Sequence, residues 1–403
     1  MLVFQTYSQL VQPECRVTLS RSAARRLLVA HLGLARPLGR GACGVRAVLE
    51  RLRCIQLDPL DVIGTNADLV VMARADDVER GDVWRHLFPK HAFEHFAKER
   101  CILPASAFPW YRRQGHGAQT HWWRHGEREE RVPRATVDAV LAEVRERGPL
   151  SARDLTDHGS VEPIDWAGWT GTKKTTSMAL EILWTRCDVV VAGRNASGAK
   201  LYDIPERSFG GGEAILPVPG GDEDRQDCLS STDFARWALR ERAHAAGLLT
   251  RASGAMWSML SNVRTSSLVD EMIEAGELID VAIEGTPRRY LAVPEFFKAR
   301  ARYDDRIRIL GPLDPLLWDR DLVRHVFDFE YVWEVYKPAH LRRWGWYVCA
   351  LLHRDRLIGR FDAQTGKMWF EADVDRALKA EAKRITSNIR RLRRRDRAPS
   401  RRA

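Results

Sequence analysis

Lys173-Lys-Thr-Thr-Ser-Met-Ala-Leu-Glu-Ile-Leu-Trp-Thr185, then, after Arg186, Cys187-Asp-Val-Val-Val-Ala-Gly-Arg-Asn-Ala-Ser-Gly-Ala-Lys-Leu-Tyr-Asp-Ile204, is the stretch that decides the fold class. In its first half Met178, Ile182 and Leu183 fall on one helical face; in its second half two apolar runs flank a glycine-containing turn, the pattern of a hairpin. Upstream, Val137, Val140, Leu141 and Val144 mark a helix over Thr136 to Arg147, and Gly148-Pro-Leu-Ser151 reads as a glycine stop followed by a second helix capped by Ser151. Three helices closed by a hairpin make a winged helix. Its third helix is expected to open with Lys173, Lys174 and Thr175, whose ammonium and hydroxyl groups suit phosphate contacts at a helix N-terminus. Protein docking uses the same unit, so the fold alone does not assign the role.

Outward from there, the rhythm repeats. Phe234 to Ala246 and Ser266 to Glu274 read as helices, and Leu278 to Val293 as a second hairpin. Gly210, Gly211, Gly212, Gly220 and Gly221, with acids between them, mark a linker. Toward the N-terminus, Thr18 or Ser20 caps a helix bearing Leu19, Ala23, Leu27, Leu28 and His31 or Leu32, and a second stripe of Val45, Val48, Leu49 and Leu52 follows. Tyr331 to Tyr336, Trp346 to Leu352, Arg356 to Asp362 and Lys367 to Phe370 read as four short strands of a small barrel or curled sheet. The expectation is an α+β chain of tandem winged-helix (helix-turn-helix) domains with a C-terminal small β-barrel. Its parts are an N-terminal extension (1–17), a first winged-helix unit (18–135), a second (136–208), a linker (209–230), a third (231–300), the β-barrel module (301–375) and a basic tail (376–403).

Composition narrows the class. A chain of 403 residues, 45% hydrophobic, has ample material for a core. No run of about 18 apolar residues occurs and the first residues lack a basic leader with an apolar block, so a cytoplasmic protein is expected. Seven scattered cysteines without a CxxC pair indicate reduced thiols rather than a disulfide framework or a zinc knuckle. The net charge is +10, and the last 21 residues, with ten Lys or Arg against Asp396, carry +9 of it. Such a tail binds polyanions without sequence preference and is expected to be disordered alone, or is simply a solvated end.

Gln56 and Asp58, in Cys54-Ile-Gln-Leu-Asp-Pro-Leu-Asp-Val62, place a carboxamide and a carboxylate two apart inside an apolar run. In an extended segment both heads point to one side and could hold a water molecule. Equally, Asp58-Pro59 could be a turn in which Asp58 caps the next element and Gln56 is solvated. His91 with His95, and His121 with His125, are spaced four apart but lack the Glu of HExxH, so no metal is expected. Trp110, Tyr111, Trp122 and Trp123 could stack on DNA or pack under a loop. Glu94 and Glu99 are read as local partners of Lys98 or Arg100. Gly41-Ala-Cys-Gly44 has no phosphate-loop lysine, so no nucleotide cofactor is expected, and no other cofactor is indicated.

An ordered set of segments carries a resemblance. Gln56-Leu-Asp58 is similar to a Gln-x-Asp catalytic motif. Ala179 to Trp184 leads to Val191-Ala-Gly-Arg194 and Tyr202 to Arg207. Further on come Gly311-Pro-Leu-Asp-Pro-Leu-Leu-Trp-Asp-Arg320, Phe327 to Tyr331, Arg343-Trp-Gly-Trp-Tyr347 and Gly359-Arg-Phe-Asp362. Over roughly residues 18 to 375 the chain resembles the bacterial winged-helix DNA glycosylases typified by YcaQ and AlkZ, which unhook interstrand crosslinks and remove N7-alkylated purines. The resemblance implies three winged helices on a C-terminal barrel, Asp58 as catalytic carboxylate and Gln56 as its water-positioning partner. It also implies a duplex partner with alkylated or crosslinked purines, engaged by a monomer through Lys173, Lys174, Thr175, Arg194, Arg343 and Trp344. Two segments depart from the pattern. Val-x-Arg-x-His is here Val62-Ile-Gly-Thr65-Asn-Ala67, and the Phe-Glu-Tyr-Trp-x-His helix is Phe93-Glu94-His95-Phe96-Ala97-Lys98. Both bear on substrate choice. A non-catalytic DNA-binding or regulatory protein on the same scaffold is the alternative expectation.

Overall fold

The structure is a computed structural model that describes residues 16–114, 125–162, 173–210 and 231–396. Strand β1 (Arg16–Leu19) leads into α1 (Arg21–His31), which Ser20 caps by accepting the Ala23 N–H at 3.2 Å. Next come α2 (Gly41–Leu52), β2 (Ile55–Gln56), α3 (Asn66–Met72), α4 (Asp82–Leu87), the hairpin β3 (Ala92–Ala97) and β4 (Glu99–Pro104), and α5 (Phe108–Gln114). The sheet order is β2-β4-β3, so the short strand that carries Gln56 is an edge laid against β4. The segment Phe93 to Lys98 is thus strand and turn, not helix. Phe93 and His95, two apart on it, both pack their rings against Tyr111.

The middle of the chain holds α6 (His125–Arg131), α7 (Arg134–Arg147), β5 (Ser160–Val161), β6 (Lys173–Lys174), α8 (Thr175–Thr185), the hairpin β7 (Val190–Arg194) and β8 (Lys200–Asp203), and α9 (Pro205–Phe209). Val137, Val140 and Val144 of α7 meet Met178, Ile182 and Leu183 of α8 in a separate apolar cluster. Two local expectations fail here. No helix follows Ser151: the Asp154 carboxylate accepts both the Ser151 N–H and hydroxyl, closing a turn instead. Lys173 and Lys174 are not helical either; they pair with Val161 and Ser160 as a strand, and α8 begins at Thr175.

The remainder comprises α10 (Ser231–Ala246), β9 (Leu249–Thr250), α11 (Ser261–Arg264), α12 (Leu268–Glu274), β10 (Ile279–Ile283), β11 (Arg289–Ala292), β12 (Ile307–Leu310), α13 (Arg320–Phe327), β13 (Val348–His353), β14 (Arg356–Asp362), β15 (Met368–Phe370) and α14 (Arg376–Asp396). Strand β1 adds to β10 in parallel, giving the order β1-β10-β11-β9. One apolar core accordingly runs from Leu28 and Val48 through Leu239 and Leu249 to Leu316 and Val323. The linker glycines from Gly211 to Gly221 lie outside the described residues.

The last sheet is an antiparallel ladder, β12-β13-β14-β15. Tyr331 to Tyr336, expected as a strand, is irregular, and β12 takes its place. The cause is polar: the Glu334 carboxylate accepts backbone N–H groups of Arg343 at 3.1 Å and Trp344 at 2.7 Å, and the Tyr331 hydroxyl donates to the Val348 carbonyl. Nor is the whole tail irregular. Residues 376–396 form α14, because Leu378, Ala382 and Ile385 recur at helical spacing and pack on the last sheet, with Ala382 fully buried. The charge of the segment hides that stripe from a reading of composition.

A buried ion pair ties the parts together. Arg74, just beyond α3, meets Asp314 through two bonds of 2.7 and 2.9 Å, with neither side chain accessible to solvent. Asp314→Ala strands the guanidinium in an apolar interior. Urea denaturation should report a loss of about 3–5 kcal/mol.

Candidate active site

Helix α2 ends at Leu52, and Arg53 reverses the chain in the left-handed region at φ 63°. That turn sends Cys54 to Leu57 out extended. Ile55 and Gln56 pair with Ile102 and Cys101 of β4, and the Leu57 N–H donates to the Arg100 carbonyl at 2.9 Å. The Gln56 carbonyl is held from the other side by Asn66 Nδ2 at 2.8 Å. Asn66 is the first residue of α3, whose start is fixed by a capping box between Thr65 and Asp68. Thr65, one of the two departures, thus serves as a helix cap, and Ala67, the other, is buried in the core.

Gln56 is only 8% exposed, and its side-chain oxygen is not free: Lys98 Nζ donates to Oε1 at 3.2 Å. Lys98 stands at the tip of the β3–β4 hairpin, where Ala97 and Glu99 are register partners and Glu99 turns at φ 82°. Hairpin-tip lysines ordinarily extend into water; this one is 6% exposed, with its ammonium 5.0 Å from the centre of the Trp318 ring. Burial, helped by the Arg242 charge, holds its pKa below the ordinary lysine value. Trp318 comes from the segment after β12, and so does Gly311, where a Cβ would lie 3.0 Å from Asn66 Oδ1. A larger residue there would press on the Asn66 and Leu69 side chains, which would have to give by a few tenths of an ångström.

Asp58 is half-buried. Its Oδ1 accepts the Leu60 N–H at 2.7 Å, the Asx turn that Asp-Pro favours. Its Oδ2 has no hydrogen bond among the described residues and is not sealed from solvent. The turn and an available carboxylate oxygen therefore coexist. Burial raises the Asp58 pKa, only partly offset by the Leu60 hydrogen bond. Close by is Tyr347, buried, its hydroxyl without a partner among the described residues; burial raises its pKa, and the Asp58 charge adds to the shift.

The remaining sequence-derived residues are scattered. Lys173 pairs with Glu181 at 2.8 Å and Lys174 with Asp157 at 3.0 Å, while Thr175 is buried. Arg194 is held by the buried Glu94 and lies 4.3 Å from the Trp84 ring centre, bracing the β7–β8 hairpin against β3. Arg343 bonds Glu330 at 2.7 Å and lies over Trp344, whose ring Arg360 also faces. Trp110 stacks on Trp237 at 5.1 Å and Tyr111 is in the core, whereas Trp122 and Trp123 lie outside the described residues. Among the described residues no group of three His, Cys, Asp or Glu could hold a metal ion, and no helix is long and apolar enough to cross a membrane. Lys98, Asn66, Trp318 and Tyr347 escaped the sequence reading. Lys98 figured there only as a local partner of Glu94 or Glu99, and the other three only as unassigned members of quoted segments.

A half-buried carboxylate thus stands two residues beyond a fixed carboxamide on a mixed α+β scaffold. The comparisons give the family. A model for AlkZ-like DNA glycosylases matches residues 49–395, and the chain belongs to that DNA-repair family. The DNA glycosylase AlkZ of Streptomyces sahachiroi is similar in structure, with a TM-score of 0.55 and 16% sequence identity over 93% of this chain and 97% of that one. That likeness speaks for the fold.

Asn66→Ala would leave the buried Gln56 carbonyl without its side-chain donor. Thermal or urea unfolding should register a loss of about 1–3 kcal/mol.

Proposed function

We propose that this chain is a monofunctional DNA glycosylase that hydrolyses the N-glycosidic bond of N7-alkylated purines and unhooks DNA interstrand crosslinks, acting as a monomer on duplex DNA in the cytoplasm. The observation that carries the reading is Asp58 with one oxygen pinned by the Leu60 N–H and the other open, two residues beyond a carboxamide that Lys98 holds still. Alkylation at N7 makes the purine a cationic leaving group, so its departure needs no general acid. The C1′–N9 bond breaks with its electrons passing to the purine ring, and the sugar develops oxocarbenium character. Ionised Asp58 stabilises that charge and takes the proton of the attacking water, whose oxygen bonds to C1′. No covalent enzyme adduct forms, and an abasic site is left.

A crosslinked nucleotide cannot swing into a deep pocket, so the site has to work against the duplex from a groove. In keeping with this, a mostly apolar pocket lined by Cys54, Phe96, Tyr111, Trp237 and Arg242 includes neither Gln56 nor Asp58. Of the residues singled out for duplex contact, Lys174 and Arg343 keep their charges about 60% exposed, at 60% and 62%. Their surface ion pairs are cheap to exchange for phosphate contacts. The basic helix α14 supplies the larger, sequence-independent attraction.

Asp58→Asn should lower turnover on duplex containing N7-methylguanine by ~10²–10⁴-fold without loss of duplex binding. The folded-state pKa of Asp58 is raised, so its contribution to stability is present below the ordinary carboxylate pKa and lost as pH rises through the raised value. The Asn variant should thus melt no lower than the parent near neutral pH. Parent activity should decline, as pH falls, through a pKa above 3.8. Full turnover by the variant, read as alkali-labile strand cleavage, overturns the assignment.

A further inference from the structure

Lys98 is an expensive residue where it stands. A buried ammonium needs compensation, and no carboxylate pairs with it among the described residues; it has the Gln56 oxygen and the face of Trp318. We infer that Lys98 is a positioning residue that fixes which face of Gln56 meets the reaction centre, making Gln56 a hydrogen-bond donor and leaving Asp58 as the sole proton acceptor. This rests on the glycosylase reading and assigns the two groups of the pair different work.

The chemistry of lysine settles the orientation. An ammonium has three donors and no acceptor, so the atom of the carboxamide that faces it is the oxygen. The rest of Gln56 is immobilised by the β2–β4 pairing and by Asn66 on its carbonyl. Its Nε2 has no hydrogen bond among the described residues and is not among the sealed polar atoms, so the N–H groups are the part that an incoming molecule meets. A cation on Oε1 also polarises the amide and strengthens those N–H groups as donors. A water that accepts from Gln56 through one lone pair and donates to Asp58 keeps its other lone pair for C1′.

The charged and titratable groups around Lys98 are Arg242 from α10, Glu99 and Cys101 from β4, and Cys54 ahead of β2. Of these, Arg242 opposes the ammonium and the others favour it, the lowering by burial being larger. Deprotonation gives Lys98 a lone pair that accepts from the carboxamide, which releases the amide to flip. Activity should therefore fall on the alkaline side below the ordinary lysine pKa of 10.5.

The test uses the full chain, with duplex bearing N7-methylguanine. Gln56→Glu keeps the shape and pairs with Lys98 but cannot donate; kcat should fall by about 10²-fold with KM little changed. A water held by the carbonyl predicts instead that this variant keeps its rate. Lys98→Met should lose roughly 10- to 100-fold in kcat and its alkaline limb. Lys98→Arg, which keeps donor and charge, should recover most of the rate with the limb moved beyond reach. Lys98→Met with parental kcat and parental pH profile overturns the proposal, as does an active Gln56→Glu. The side-chain amide signal of Gln56 in glutamine-labelled protein gives a readout free of catalysis. It should titrate with the depressed lysine in the parent and stay flat in Lys98→Met. Were the parent inactive on both methylated and crosslinked duplex, the glycosylase reading would fall while a titrating amide would still uphold the orientation of Gln56; a flat amide in the parent would sink it.

Discussion

The pairing of Arg74 with Asp314 anchors the segment after β12 that packs against the neighbourhood of Gln56. The two residues are 240 positions apart, and the guanidinium also donates to the carbonyls of Leu32 and Val70, so one side chain joins α1, α3 and the segment after β12. A guanidinium fork accepts a carboxylate in very few geometries, and neither partner has water to fall back on. Apolar substitutes could match such a pair in stability but would not fix its register so closely. Register is what the neighbourhood needs. The clamped segment presents Gly311 to Asn66 and Trp318 to Lys98, and those two residues hold the carbonyl and the side chain of Gln56.

A second buried acid does similar work between the cores. Glu94, on β3, receives Arg194 and Lys200 from the β7–β8 hairpin, and Trp184 of α8 donates to the Glu94 carbonyl at 2.9 Å. Burial outweighs Glu94 and takes the Lys200 pKa down to about 8, the mark of a cation drawn into a tight polar cluster. Arg194 is therefore part of the frame, and its charge is already committed before any duplex arrives.

Much of the fold was legible because its signals are local. The stripe Val45, Val48, Leu49, Leu52 became the buried face of α2, and Ser20 caps α1 as its chemistry dictates. The hairpins at 190–203 and 279–292 follow from apolar runs around turn residues. What failed depended on partners distant in sequence or on a competing polar bond. Ser151 caps no helix because Asp154 claims it, Lys173 and Lys174 become a strand only because Ser160 and Val161 lie alongside, and Glu334 prevents a strand at 331–336 by gathering amides from 343–345. In α14, nine basic residues outweighed an apolar stripe of three that nonetheless decides the conformation.

The candidate site divides along the same line. Gln56 and Asp58 stand out because polar groups in an apolar run demand an explanation, but their environment comes from residues 66, 98, 318 and 347, which no spacing connects to them. Lys98 is the clearest case. At a hairpin tip, followed by Glu99 and Arg100, it has every local mark of a solvated lysine. Its burial comes from residues distant in sequence, among them Trp318, from the segment that the Arg74–Asp314 clamp anchors. A motif of two residues can thus be recognised in the chain, while the orientation of its amide, and with it the division of labour between donor and acceptor, is a property of the tertiary structure.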